Sequence, residues 1–245
     1  MCIVGILNVW GLAMKVGIMQ PYFFPYLGYW QLLNAVDKYV IYDDVNFIKN
    51  GWINRNNILL GRQKHMITIP LDGASPNLPI NQIRMTSNVK DKEKLLKTIE
   101  MAYKKAPYFN QVFPIISKVV MEPTCLISNA LINMFNLVCQ YLDIKTELII
   151  SSDIAKNNAL KGQDKVLHIC NLLGATDYIN AIGGTELYDK DTFQANGIQL
   201  NFLKTNDIKY KQFNNEFIAG LSIIDVLMFN SKEDIKKLLL QFTLQ

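Results

Sequence analysis

Met14-Lys15-Val16-Gly17-Ile18-Met19-Gln20-Pro21-Tyr22-Phe23-Phe24-Pro25-Tyr26-Leu27-Gly28-Tyr29 is the stretch from which the fold class of this chain can be read. Residues 16–19 are a short apolar run of the kind that forms a buried strand. A loop with two prolines follows, and a helix is expected over 28–36, after Pro25. Residues 38–42, with Tyr39-Val40-Ile41 at their centre, read as a second strand that ends in Asp43-Asp44. Strand, loop, helix and strand within about 30 residues make a βαβ unit, which favours a parallel sheet.

Outward from this unit, residues 46–62 are polar and Asn-rich, which suits a long loop or a short hairpin. A short strand is expected over 65–70 and a Gly/Pro/Ser/Asn loop over 72–79. Helices are expected over 90–103, 110–121 and 124–142, the last with an amphipathic stripe through Leu126, Ala130, Met134 and Leu137. Further strands fall at 148–150, 178–182 and 198–203, and a helix over 163–173 stops at Gly174. Ser222–Asp225 and Ser231–Asp234 each fit a capping box ahead of a final helix pair. The expected architecture is α/β: a mainly parallel sheet flanked by helices, with a central helical segment. A single domain over 14–245 is expected, with 90–143 a candidate helical subdomain.

Residues 1–13 are apolar and uncharged. They lack the basic start and small-residue cleavage site of a signal sequence and are too short to span a bilayer, so an N-terminal extension is expected. The whole chain, at 245 residues, is long enough for a sizeable core. It is 50% hydrophobic and 19% charged, which excludes a disordered polymer. A net charge of +4 fits a handler of small anions. The densest lysine run, 90–105, also carries Asp91, Glu93 and Glu100, so no concentrated nucleic-acid footprint is present. Cys2, Cys125, Cys139 and Cys170 include no Cys-x-x-Cys pair, and His65 and His168 are the two histidines; no metal site is expected. Reduced thiols and the lack of a membrane-spanning stretch point to the cytoplasm.

Four groups of residues are candidates for chemistry. Gln20-Pro21-Tyr22-Phe23-Phe24-Pro25 with Gly28 and Tyr29 follows the first strand, at the carboxyl end where open α/β sheets place ligands. Its aromatics offer flat surface, Gly28 allows close approach and Gln20 can hold a polar ligand with its amide; the plainer reading is core aromatics beneath a turn. Asp43 and Asp44 end the next strand and point to opposite faces. One of them could act as general base, bind a cation or accept from sugar hydroxyls, or both could be a solvated strand end. Lys49 and Arg55 could clamp phosphates around Trp52, which could stack on a base or sugar ring, in a loop with Asn54. Gly183 and Gly184 could form an anion nest after a strand, or a tight turn. Asp164 and His168, one helical turn apart, read as a surface ion pair.

These residues together resemble the WbqC-like family of bacterial O-antigen and polysaccharide gene clusters. The resemblance rests on Gln20-Pro21, Phe24 to Tyr29, Asp37, Asp43-Asp44-Val45 and Trp52-Ile53-Asn54-Arg55. It continues through Leu173-Gly174-Ala175-Thr176, Tyr178, Gly184, Phe193, Gly197-Ile198, Tyr210 and Gln212 to Leu221-Ser222-Ile223-Ile224-Asp225. It implies a transferase that places glycine, or a similar acyl group, on the amine of a nucleotide-linked amino sugar. Under that reading Asp43 or Asp44 is the base and Gln20 or Asn54 the donor to the oxyanion or substrate. Lys49 and Arg55 hold the diphosphate, and Trp52, Tyr22, Phe24 and Tyr29 pack on the rings. ATP is a possible cofactor for activating the acid. The first loop also looks like the ATP loop of nucleotidylyltransferases, but Tyr26-Leu27-Gly28-Tyr29 stands where those carry His-x-Gly-His. The alternatives are therefore a nucleotidylyltransferase-like ATP-binding enzyme or a non-catalytic binding protein of the same pathway.

Overall fold

The computed structural model describes residues 13–123, 125–213 and 216–245. The expected extension up to residue 12, Cys2 and the expected helix start at Thr124 lie outside them. The first strand, β1 (Lys15–Met19), leads through the Gln20 loop into α1 (Leu27–Asn34) and β2 (Lys38–Ile41). A hairpin of β3 (Arg55–Leu60) and β4 (Gln63–Thr68) follows, then the short pair β5 (Leu71–Asp72) and β6 (Arg84–Met85). The central helices are α2 (Val89–Tyr103), α3 (Phe109–Val120) and α4 (Ile127–Leu142). The chain then runs β7 (Glu147–Ile150), α5 (Gly162–Leu172), β8 (Asp177–Ala181), α6 (Lys190–Ala195) and β9 (Gln199–Thr205). It ends with α7 (Ile223–Phe229), α8 (Lys232–Leu238) and β10 (Phe242–Leu244).

Six of the strands form one sheet in the order β10-β9-β8-β1-β2-β7, parallel except for the edge strand β10. Numbered by their own sequence within the sheet and read from the β7 edge, they run 3-2-1-4-5-6, the order of doubly wound α/β sheets. The chain builds outward from β1 to β7, then returns to the other side of β1 with β8. The crevice beyond the carboxyl ends of β1 and β8 is thus the topological switch point, where this architecture takes ligands.

The period-2 alternation of strand side chains divides the core between the two faces. Val16, Ile18, Val40 and Tyr178 pack with Val166, Ile169 and Cys170 of α5 and Phe193 of α6. Tyr39, Ile41 and Ile179 face the other side, where α1, the three central helices, the hairpin and α7–α8 share one apolar cluster. Gly17 keeps β1 close to that layer, since a Cβ there would lie 3.1 Å from the Tyr39 ring.

The polar stretch 46–62 resolves into a loop and the first strand of the β3–β4 hairpin, which turns at Gly61 and Arg62, both at positive φ (60° and 67°). That backbone matches the twist of the paired strands. The antiparallel edge strand β10 was not expected. Ser222 and Ser231 do cap α7 and α8, accepting from Ile224 N and Asp234 N. Asp225 completes no capping box, because its carboxylate turns into the core. Among the described residues no helix is long and apolar enough to cross a membrane.

Candidate functional site

The loop after β1 is held by bonds from distant parts of the chain. Phe23 N donates to Trp52 O (3.0 Å), and Asn56 Nδ2 donates to both Phe23 O (3.1 Å) and Phe24 O (2.9 Å). Ser222 Oγ also donates to Phe24 O (2.6 Å), and Phe24 N donates to Met134 Sδ (3.0 Å). Pro25 O accepts from Trp30 Nε1 and Ile223 N. These contacts hold Phe24 at φ 41°, a left-handed conformation that costs a residue with a Cβ on the order of 1 kcal/mol. Backbone strain of this kind persists only where the surroundings over-determine it.

The same clamps sort the aromatics. Phe23 and Phe24 are wholly buried, so Phe24 does not present its ring to a ligand. Tyr22 and Tyr29, with ring centroids 5.7 Å apart, instead wall a pocket of about 220 Å³. Trp52, 44% exposed, forms a third wall. Met19 and Ala181, at the carboxyl ends of β1 and β8, also line it, so the pocket sits at the switch point. Tyr29 is fixed from behind by stacking on Phe135 (5.5 Å) and by its hydroxyl, which donates to Gln20 O (2.8 Å). Burial pushes the Tyr29 phenol well above its ordinary pKa, so it stays neutral. The half-buried Gln20 amide makes no hydrogen bond among the described residues.

The structure separates the remaining candidates from this pocket. Asp43 is buried, and its two oxygens accept from Ser152 N (2.9 Å) and Ser152 Oγ (2.7 Å). Asp44 accepts from Ser151 Oγ (2.7 Å) and pairs with Lys156 (2.9 Å) and Lys165 (3.1 Å). Burial opposes the Asp44 charge, but the Ser151 hydrogen bond and the two ammoniums outweigh it and hold the carboxyl below its usual range. Both carboxylates are therefore engaged by donors of the chain itself. Arg55 closes its own turn, with Nε donating to Gly51 O (3.0 Å) and a terminal nitrogen to Asn50 O. Asn54 Nδ2 donates to Ile69 O (3.0 Å), tying down the hairpin. Lys49 is exposed and forms no ion pair among the described residues.

Gly183 and Gly184 lie in a 3-10 turn, Ile182–Leu187, that leaves the pocket edge at Ala181; a Cβ on Gly184 would meet Asn180 Oδ1 at 3.0 Å. His168 does not pair with Asp164: its Nε2 accepts the Asn157 amide (3.2 Å). Cys139 and Cys170 are buried thiols pushed up to about 12, which removes them as ready nucleophiles. Among the described residues no three His, Cys, Asp or Glu side chains gather into a cluster able to hold a metal ion. Lys156 and Lys165 went unseen in the sequence because they meet Asp44 across more than a hundred residues, with no local signal. The clamping of the loop by Asn56 and Ser222 also has no local signal, since they reach Phe23 and Phe24 from 32 or more residues away.

Fold and site together define an α/β protein with an aromatic pocket at the switch point of its sheet. The chain belongs to the WbqC-like protein family, whose model matches residues 20–237. It is 26% identical over 229 residues to a Mycobacterium tuberculosis protein described as uncharacterized protein Rv1507c, a match covering 88% of this chain and 93% of that protein. No solved structure matches.

Proposed function

We propose that this protein is a transferase that forms an amide, glycyl or another acyl, on the amine of a nucleotide-linked amino sugar in O-antigen or polysaccharide biosynthesis. The observation that carries this reading is the pocket walled by Tyr22, Tyr29 and Trp52 at the switch point. Flat aromatic walls with few polar atoms suit a planar heterocycle or the apolar face of a sugar. In the reaction the amine nitrogen attacks the carbonyl carbon of an activated acid, such as an acyl phosphate or acyl adenylate made with ATP. The new C–N bond forms, the bond to the phosphate leaving group breaks, and the amine proton passes to a base. Gln20 lies in the chain between the pocket-lining Met19 and Tyr22, and its amide has no hydrogen bond among the described residues, which supports it as the donor to substrate or oxyanion. Asp43 and Asp44, already engaged by Ser152 and by Lys156 and Lys165, are less suited to the base role than the sequence alone suggested.

Incubating the protein with dTDP-linked amino sugars and activated glycine, then measuring mass, tests this reading. A gain of one acyl residue on the sugar nucleotide is the expected result; no gain with any amino sugar sinks it. The 3-2-1-4-5-6 strand order also favours a second reading, an enzyme that binds ATP at the same loop. Thermal stabilisation by ATP, with or without magnesium, is its signature, and its absence would count against ATP binding.

A further inference from the structure

Beside the aromatic pocket lies a second chamber of about 200 Å³, and the two share Tyr26 and Gly220 in their walls. Each alone is smaller than the roughly 300–1,000 Å³ of a typical ligand site, while the pair falls inside that range. Their linings differ. The second chamber is lined by Thr205 and Asp207 at and beyond the carboxyl end of β9, together with Tyr210 and Phe217. A carboxylate and a hydroxyl beside aromatic faces is the chemistry that recognises hydroxyls and amines on a ring that also has an apolar face.

Two details show groups left without partners inside this chamber. Thr205 Oγ1 is fully buried and has no hydrogen-bond partner among the described residues. It converges with the Tyr26 hydroxyl over Gly28, where a Cβ would lie 2.4 Å and 2.3 Å from them. Asp207 is exposed and makes no hydrogen bond or ion pair among the described residues, unlike Asp43 and Asp44. Lys64 lines neither chamber, but its Nζ lies 3.4 Å from where a Cβ on Gly220, a residue the two share, would stand. Lys64 too is without an ion pair among the described residues.

We propose that the second chamber is an amino-sugar subsite in which Asp207 accepts from the sugar amine and Thr205 Oγ1 pairs with a ring hydroxyl. Tyr26 divides it from the aromatic pocket, and Lys64 faces the diphosphate that joins sugar to nucleoside across Gly220. This assignment rests on the transferase reading and supplies the carboxylate beside the amine that Asp43 and Asp44 do not.

The test measures binding of D-glucosamine, D-glucose, dTDP and a dTDP-linked amino sugar, by saturation-transfer NMR and calorimetry. It compares the full chain with Asp207→Asn, Thr205→Val and Lys64→Ala, each checked for an unchanged melting temperature. Wild type should prefer glucosamine to glucose. Asp207→Asn and Thr205→Val should weaken glucosamine and the sugar nucleotide roughly tenfold, with dTDP unaffected. Lys64→Ala should weaken dTDP and the sugar nucleotide but not free glucosamine. Equal binding of the two free sugars, no binding of any sugar ligand, or Asp207 and Thr205 variants that bind as wild type would each overturn the subsite. The expected binding pattern without any acyl transfer leaves the subsite standing and removes the transferase reading. Acyl transfer that survives in variants with unchanged binding does the reverse.

Discussion

Asp44 and Asp225 are both carboxylates held by several side chains from distant segments, yet their surroundings shift them in opposite directions. Asp44 meets two ammoniums: the Lys156 and Lys165 side chains are 1% and 8% exposed. Asp225 meets neutral donors, accepting from Tyr103 OH (2.8 Å), Tyr210 OH (2.6 Å) and Gln212 Nε2 (2.6 Å). Burial pushes the Asp225 carboxyl up, and hydrogen bonds from phenols and an amide only partly offset it. Opposite charge nearby decides the first case and desolvation the second. The two also fasten different parts of the fold. Asp44 fastens the segments that follow β2 and β7, whereas Asp225 ties Tyr210, in the irregular stretch after β9, to α2 and α7 beside the second chamber.

The largest effect is expected from Asp44→Ala, which leaves two buried ammoniums without their carboxylate. A loss of roughly 3 kcal/mol or more in urea unfolding is the expected outcome, as for other broken buried pairs. A loss no larger than that of a surface substitution would show that the lysines find water instead. Asp225→Asn keeps the shape but turns one acceptor into a donor facing Gln212 and Tyr210. About 1–3 kcal/mol should be lost, and the binding of sugar ligands should fall with it if this anchor positions the Tyr210 wall.

The smallest effect, and the one that sharpens the contrast most, is in pH. The folded Asp44 carboxyl lies below its unfolded value of about 3.9, so its contribution is full above that value and is lost as pH falls through the folded one. Asp225 has the opposite sign. Its folded value is raised, so stability from this group is greatest below about pH 3.9 and declines as pH rises through the folded value. Acid titration of the urea midpoint should therefore be shallower than wild type in Asp44→Ala and steeper in Asp225→Asn. Identical slopes in all three proteins would remove the distinction.

Much of the fold was legible because it is written in local pattern. The apolar run at Val16, the β-branched core of β2 and the amphipathic stripe of α4 each report a neighbouring sheet or helix layer through their own spacing. The two serine caps act on amides two or three residues away, so they too can be read locally. The edge strand β10 could not, being three residues whose pairing depends on β9 some forty residues earlier.

The site divides along the same line. The order of residues alone placed a loop with two prolines and a glycine between a buried strand and a helix. That suffices to put Tyr22 and Tyr29 near the carboxyl end of β1, because strand direction carries the loop there, whereas Gly28 packs against Thr205 at the end of β9. Tertiary structure decided which aromatic rings face the pocket, since Phe24 is turned inward by Met134 and Ser222, 110 and 198 residues away. It also decided that Arg55 closes a turn, that Asp44 belongs to two lysines, and that Thr205 and Asp207 stand beside Tyr26. A side chain's partners are set by which segments the crossover connections bring together, and that distance in space has no counterpart in the spacing of residues along the chain.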